Sequence, residues 1–203
     1  MRYDISLLTL TEVSKIGSFG SKFLGWLVAV AIVLIAGWFL LPSGYNTLVL
    51  WLAPQLGNYI RPTLVLVNAL LVDPLNNLQM VAIWGAAGFI AGVLAGTKKG
   101  AFAVGLLAWL TMVLMLVFLV FQLFTTGVEL GTIPPIPPGS SIADVLGIPL
   151  VQSVIDELLP LIAGSGGSPD IGSLLQPLII WFLTPLIVVI VTGIIGAVVR
   201  PKE

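Results

Sequence analysis

"VAIWGAAGFIAGVLAGTKKGAFAVGLLAWL", residues 81–110, sets Gly88, Gly92, Gly96 and Gly100 on a four-residue beat in an apolar run broken only by Thr97, Lys98 and Lys99. In a helix exposed to water, each glycine costs about 1 kcal/mol against alanine. In lipid the balance differs, because helices gain nothing hydrophobic by associating there and instead gain by close approach along small-residue stripes. The stretch therefore reads as one membrane span, a short basic turn and a second span running antiparallel beside the first. Gly88, Gly92 and Gly96, flanked by Ala87, Ala91 and Ala95, form a packing face on the first, and Gly105 and Ala108 offer a complementary surface on the second. A contact with another subunit or another copy is the rival reading of that face, and pore-lining glycine a third.

The whole chain has the same character. Of 203 residues 58% are hydrophobic and 8% are charged, against about 25% charged in a soluble domain. There is no Cys and no His, which removes disulfides, thiolate nucleophiles, zinc–thiolate and iron–sulfur sites, and the usual base near neutral pH. A formal net charge of -1 without a basic stripe leaves nothing to neutralise a phosphate backbone. No nucleic-acid partner, no cofactor and no enzymatic activity are expected.

A helix crossing about 30 Å of hydrocarbon needs roughly 20 apolar residues. Residues 23–41, 79–96, 101–124 and 176–199 qualify, and none of the four contains Asp, Glu, Lys or Arg. The first is long for a signal peptide and no small-residue cleavage site follows it, so it reads as a retained anchor. The sequence thus predicts an all-α integral membrane protein, a four-span bundle organised as a segment 1–22, three spans within 23–124, a loop 125–175, and a last span with tail at 176–203.

Basic residues gather on the cytoplasmic side of such proteins. Arg2, Lys15 and Lys22 precede the first span, Lys98 and Lys99 separate the second from the third, and Arg200 and Lys202 follow the fourth. With both termini cytoplasmic, only Arg61 falls outside. The outer connections, 42–78 and 125–175, hold Asp73, Glu129, Asp144, Asp156, Glu157 and Asp170. Lys15, Lys22, Lys98, Lys99, Arg200 and Lys202 are then expected to anchor the inner face to lipid headgroups. A rival count makes 47–72 a fifth span, but Pro54, Gln55, Asn58, Arg61 and Pro62 would sit at mid-membrane, where an unpaired Arg is costly. An interfacial or partly re-entrant segment fits better.

Residues 1–22 fit a short helix on the inner surface. In the second outer loop, "TIPPIPPGSS" is held extended by its prolines, and "IPLVQSVIDELLPLIAG" places Gln152, Ser153, Asp156 and Glu157 on one helical face against Leu150, Val151, Val154 and Ile155 on the other, which predicts an outer amphipathic helix. Leu78-Gln79 and Leu175-Gln176 each stand five residues before a Trp, at 84 and 181, the trace of a parallel repeat of two hairpins. Gly193 and Gly196 renew the small-residue theme in the last span, and Pro185 should kink it.

No span carries an ionisable group, so a driven transporter is not indicated. Thr111, Gln122, Thr184 and Thr192 are the polar groups at membrane depth, read as helix-to-helix or helix-to-backbone hydrogen bonds. The outer acidic residues lack the close alternation of a calcium loop, no metal site is expected, and "GVLAGTKKG" follows no strand, which excludes a phosphate loop. The sequence reading is a non-catalytic structural or scaffold subunit of a larger membrane assembly, with lipids and other membrane subunits or copies of itself as partners, in the cytoplasmic membrane of a prokaryote. The alternative is an oligomeric channel or facilitator for a small neutral or lipid-like solute, which requires Thr111, Gln122, Thr184 and Thr192 to converge. An enzyme using Asp156 and Glu157 is a distant third reading.

Overall fold

Long apolar runs without a charge must satisfy every backbone amide internally if they lie in lipid, and this chain does so with helices. The computed structural model describes residues 5–125, 135–164 and 171–201, and among them forms α1 (Ile5–Phe39), α2 (Ser43–Leu56), α3 (Ile60–Leu70), α4 (Leu78–Ala95), α5 (Lys98–Thr125), α6 (Ile142–Leu146), α7 (Pro149–Gly164) and α8 (Ile171–Val199), with no strand. Phe19–Phe39, Leu78–Ala95, Lys98–Thr125 and Leu175–Val199 are long and apolar enough to cross a membrane. These four segments point to the membrane as the protein's location.

The glycine stripe of α4 lies against α8 and not against α5. Gly85 stands opposite Val188 and Thr192, Gly92 opposite Gly193, and Gly196 opposite Phe89 and Val93. Because the numbers rise together, α4 and α8 run parallel. A Cβ added at Gly88 would fall 2.9 Å from the Val189 Cα, and one at Gly92 would fall 2.8 Å from the Gly193 Cα. No side chain fits there, so the two helices meet backbone to backbone. Gly105 of α5 also faces α8, at the Val189 carbonyl and Ile190. On its other side α4 receives α1, whose Gly25 approaches the Ala91 carbonyl.

The connection between α4 and α5 is shorter than the sequence suggests. Gly96 adopts a left-handed φ of 67° and caps α4 by donating its N–H to Gly92, a conformation open to glycine at little cost. Thr97 then starts α5, its hydroxyl oxygen accepting the Gly100 amide at 3.1 Å. Lys98 and Lys99 consequently form the first turn of α5 instead of the loop.

Small residues and a few bulky ones fill the interior. Ala29, Ala69, Ala87, Ala91, Ala95, Ala101 and Ala108 surround Trp84, Leu66, Leu70, Met80 and Met112. Large apolar side chains such as Phe102, Leu114, Phe118, Phe121, Ile187 and Ile195 point outward, the reverse of a water-soluble bundle. Between α1 and α4, α2 and α3 have 14 and 11 residues, each too short to cross a bilayer alone. Pro54 in the last turn of α2 and Gly57 at φ 68° turn the chain, and α3 packs back onto α1, α2, α5 and α8.

Candidate functional site

The segment "VDPLNNLQM", residues 72–80, builds a polar cluster at the end of the bundle opposite Lys98 and Lys99. Pro74 cannot donate an amide and fixes its own φ, so the chain turns after Asp73. The Asp73 Oδ1 accepts the Leu75 amide at 2.8 Å, and its backbone carbonyl accepts the Asn77 amide at 2.9 Å. Asn77 then caps α4: its Oδ1 accepts the Met80 amide, and its Nδ2 donates to the Asn68 Oδ1 at 3.0 Å. Side-chain caps of this kind satisfy amides that the helix itself leaves free.

From α7, Ser153 reaches into the same cluster. Its hydroxyl donates to the Asp73 Oδ2 at 2.6 Å, and Asn76 Nδ2 donates to that oxygen at 2.9 Å and to the Ser153 Oγ at 3.2 Å. Helical spacing places Ser153 on the polar face of α7 with Gln152 and Asp156, which are exposed, yet Ser153 itself is only 2% exposed because it packs onto Asp73 and Asn76. Burial pushes the Asp73 carboxyl upward, but the hydrogen bonds from Ser153, Leu75 and Asn76 outweigh it and hold the group below the ordinary carboxylate value.

Two tryptophans fasten the end of α3 beside this cluster. The Trp84 Nε1 donates to the Ala69 carbonyl at 2.7 Å, one of the carbonyls that the last turn of a helix leaves without a partner. The Val72 amide donates to the Trp181 carbonyl at 3.1 Å. That carbonyl is free because the residue four positions on is Pro185, which has no N–H.

A cleft of about 590 Å³ opens next to the cluster, lined by Asp73, Asn76, Ser153, Asp156, Gln176 and Trp181 among others. The Asp73 carboxylate accepts the Ser153 hydroxyl and so fixes its orientation at the cleft wall. Among the described residues no group of three His, Cys, Asp or Glu side chains gathers to hold a metal ion.

The other sequence-selected residues are distributed over the bundle. Gly88, Gly92, Gly193 and Gly196 lie at the α4–α8 contact, while Gly96 is the cap of α4. Thr111 accepts the Trp26 Nε1 at 3.0 Å between α1 and α5 and donates to the Leu107 carbonyl. Thr184 donates to the Ile180 carbonyl, and Thr192 donates to the Val188 carbonyl beside Gly88. The Gln122 backbone carbonyl, near the end of α5, accepts from the Thr125 hydroxyl at 3.3 Å, a hydroxyl that also donates to the Phe121 carbonyl at 3.0 Å. The hydroxyls thus bond mainly to their own helices, on different packing surfaces.

Lys98, Lys99 and Arg200 are exposed, and Lys22 is half-buried with its stem across Gly100. The Lys15 side chain and all of Lys202 lie outside the described residues, as do Glu129, Asp170 and the Glu157 side chain. Arg61 stacks its guanidinium over the Trp38 ring at 4.6 Å. Sequence reasoning passed over Asn68, Asn76 and Asn77; the signal was present in the Asp-Pro turn followed by an Asn three residues before Met80. No protein family, curated protein or solved structure matches the chain.

Proposed function

We propose that the chain is a non-catalytic structural or scaffold subunit of a larger membrane protein assembly, with both termini and the Lys98–Lys99 turn on the cytoplasmic side of a prokaryotic cytoplasmic membrane. The observation that carries this reading is a set of bare apolar side chains outside the four spans. Leu75 is 83% exposed, and Ile142, Leu146 and Leu159 on α6 and α7 are also exposed. Within a span such residues would face lipid, but these lie in the connecting segments that also carry Asp73, Asp144 and Asp156, outside the four apolar runs. Exposed apolar groups in a polar surround mark a protein contact.

The placement of basic residues supports the orientation, since seven of the eight fall on one side of a four-span chain. Support against a solute path comes from α4 and α8, which meet without a side chain between them at Gly92 and Gly193. Thr184 and Thr192, the hydroxyls such a path would need, are bonded to their own helix.

The test is extraction from the native membrane in mild detergent followed by native mass spectrometry. The scaffold reading expects different subunits at fixed stoichiometry. A lone chain or a pure homo-oligomer in every mild detergent overturns it, and solute flux in liposomes would then be measured.

A further inference from the structure

Independently of that reading, we propose that the groove between α1 and α5 is a binding site for one anionic phospholipid, with the phosphate at Lys22 and one acyl chain along the groove. The groove has a volume of about 390 Å³ and walls of Phe19, Phe23, Trp26, Ala103, Val104 and Leu107. Lys22 lines the groove within one helical turn of Phe19, and Thr111 lines it as the last α5 residue of the set.

The two helices rise in the same direction here. Lys22 lies at Gly100, Gly25 at Val104, and the Trp26 indole at Thr111. At 1.5 Å per residue, the stretches from Phe19 to Trp26 and from Gly100 to Thr111 span roughly 10–16 Å. That is about half of a 30 Å hydrocarbon core, so the groove occupies the depth of one leaflet with its charge at the headgroup end.

The polar groups of the groove are arranged for an amphiphile. The Trp26 N–H is taken up by the Thr111 oxygen at 3.0 Å, and the Thr111 hydroxyl donates to Leu107. The deep end therefore presents carbon, and the tilted Phe23–Trp26 ring pair, 5.4 Å between centroids, forms one wall. At the mouth Lys22 is half-buried, its Cε 3.0 Å from where a Cβ on residue 100 would stand, so the absent side chain of Gly100 gives the lysine its place. Lys98 and Lys99 are exposed on the same first turn of α5, and none of the groove-lining residues is acidic. A net negative headgroup complements this cluster, whereas a zwitterionic one would bring a second cation to three lysines.

The experiment uses the full chain in micelles containing equal amounts of phosphatidylglycerol and phosphatidylcholine, with retained lipids counted by native mass spectrometry. One phosphatidylglycerol should be kept in preference to phosphatidylcholine. Lys22→Gln should lower its retention about fivefold, the effect of removing one basic residue at a lipid surface. Ala103→Trp keeps every charge but fills the groove, and should lower retention at least as much, with helix content unchanged by circular dichroism. Equal retention of the two lipids, or retention unaltered by both substitutions, overturns the proposal in favour of an unselective annulus. A dimer that disappears in Ala103→Trp while lipid retention stays constant overturns it in favour of a second copy of the chain.

Discussion

The backbone amide of Val72 donates to the carbonyl of Trp181 at 3.1 Å, a bond made between the end of α3 and the middle of α8. Pro185 makes this bond available, since an ordinary residue there would claim the Trp181 carbonyl for the helix. Two features often treated as defects, a proline within a span and an irregular segment packed against it, satisfy each other.

Pro185→Ala supplies a competing amide to the Trp181 carbonyl. Val72 is fully buried, so its N–H would lose a bond worth about 1 kcal/mol net. Hydrogen exchange at the Val72 amide should accelerate about fivefold, a factor that follows from that free energy. An unchanged exchange rate would show that α3 is held by its side chains alone.

The α4–α8 contact should respond to single carbon atoms. Gly92→Ala places a Cβ against the Gly193 backbone, and overpacking of this kind costs about 1–3 kcal/mol. Gly20→Ala is the contrasting case, because a Cβ at Gly20 meets nothing within 4 Å and alanine is the better helix former by up to about 1 kcal/mol. Thermal melts in micelles should therefore move in opposite directions. Equal melting temperatures for the two variants would mean that the stripe is not packed as described.

Asp73 should make the cluster sensitive to acid. Its folded pKa is depressed below 3.8 because the bonds from Ser153, Leu75 and Asn76 outweigh the upward push of burial. For a depressed carboxyl the stabilisation is fully present above the unfolded value and is lost as pH falls through the folded one. The melting temperature of the parent minus that of Asp73→Asn should thus be constant from pH 5 to 7, in the flat region above the carboxylate range, and shrink on acidification below about 4. Ser153→Ala should cost about 1–3 kcal/mol at neutral pH by withdrawing a donor from a buried carboxylate. A parent-to-Asn difference that grows on acidification would reverse the sign and remove the assignment.

The four long helices were legible because an uncharged apolar run of span length admits few other folds in lipid. The partner of the glycine stripe was not. Apolar residues surround these helices on all sides, so hydrophobic periodicity does not mark the buried face, and proximity in sequence favoured α5 over α8. Gly193 and Gly196 carried the missing information, but nothing local pairs them with Gly88 and Gly92. The Asp73 cluster was half legible: the turn and the Asn77 cap are written within nine residues, whereas Ser153 arrives from 80 residues away. Its position on a polar helical face suggested solvent, and burial on Asp73 is a tertiary event.

If the bare apolar groups near Asp144 are a subunit contact, as the scaffold proposal holds, removing them should weaken assembly without weakening the fold. Ile142 and Leu146 on α6 are 58% and 46% exposed, and substitutions at such positions usually change stability by no more than about 0.5 kcal/mol. The double substitution Ile142→Ser, Leu146→Ser should leave the melting temperature of the isolated chain within about 4 °C, the shift that two such free-energy changes together give in a chain of this size. In native mass spectra of detergent extracts the same variant should appear more often as the lone chain, because replacing two apolar side chains by serine removes the area whose burial would hold the contact. Glu or Lys at Leu75, 83% exposed, should add to the effect if that loop belongs to the same surface and leave it untouched otherwise. Assemblies of unchanged mass and abundance in the double variant would move the contact away from α6, and a large loss of melting temperature would mean that α6 holds the chain's own fold together.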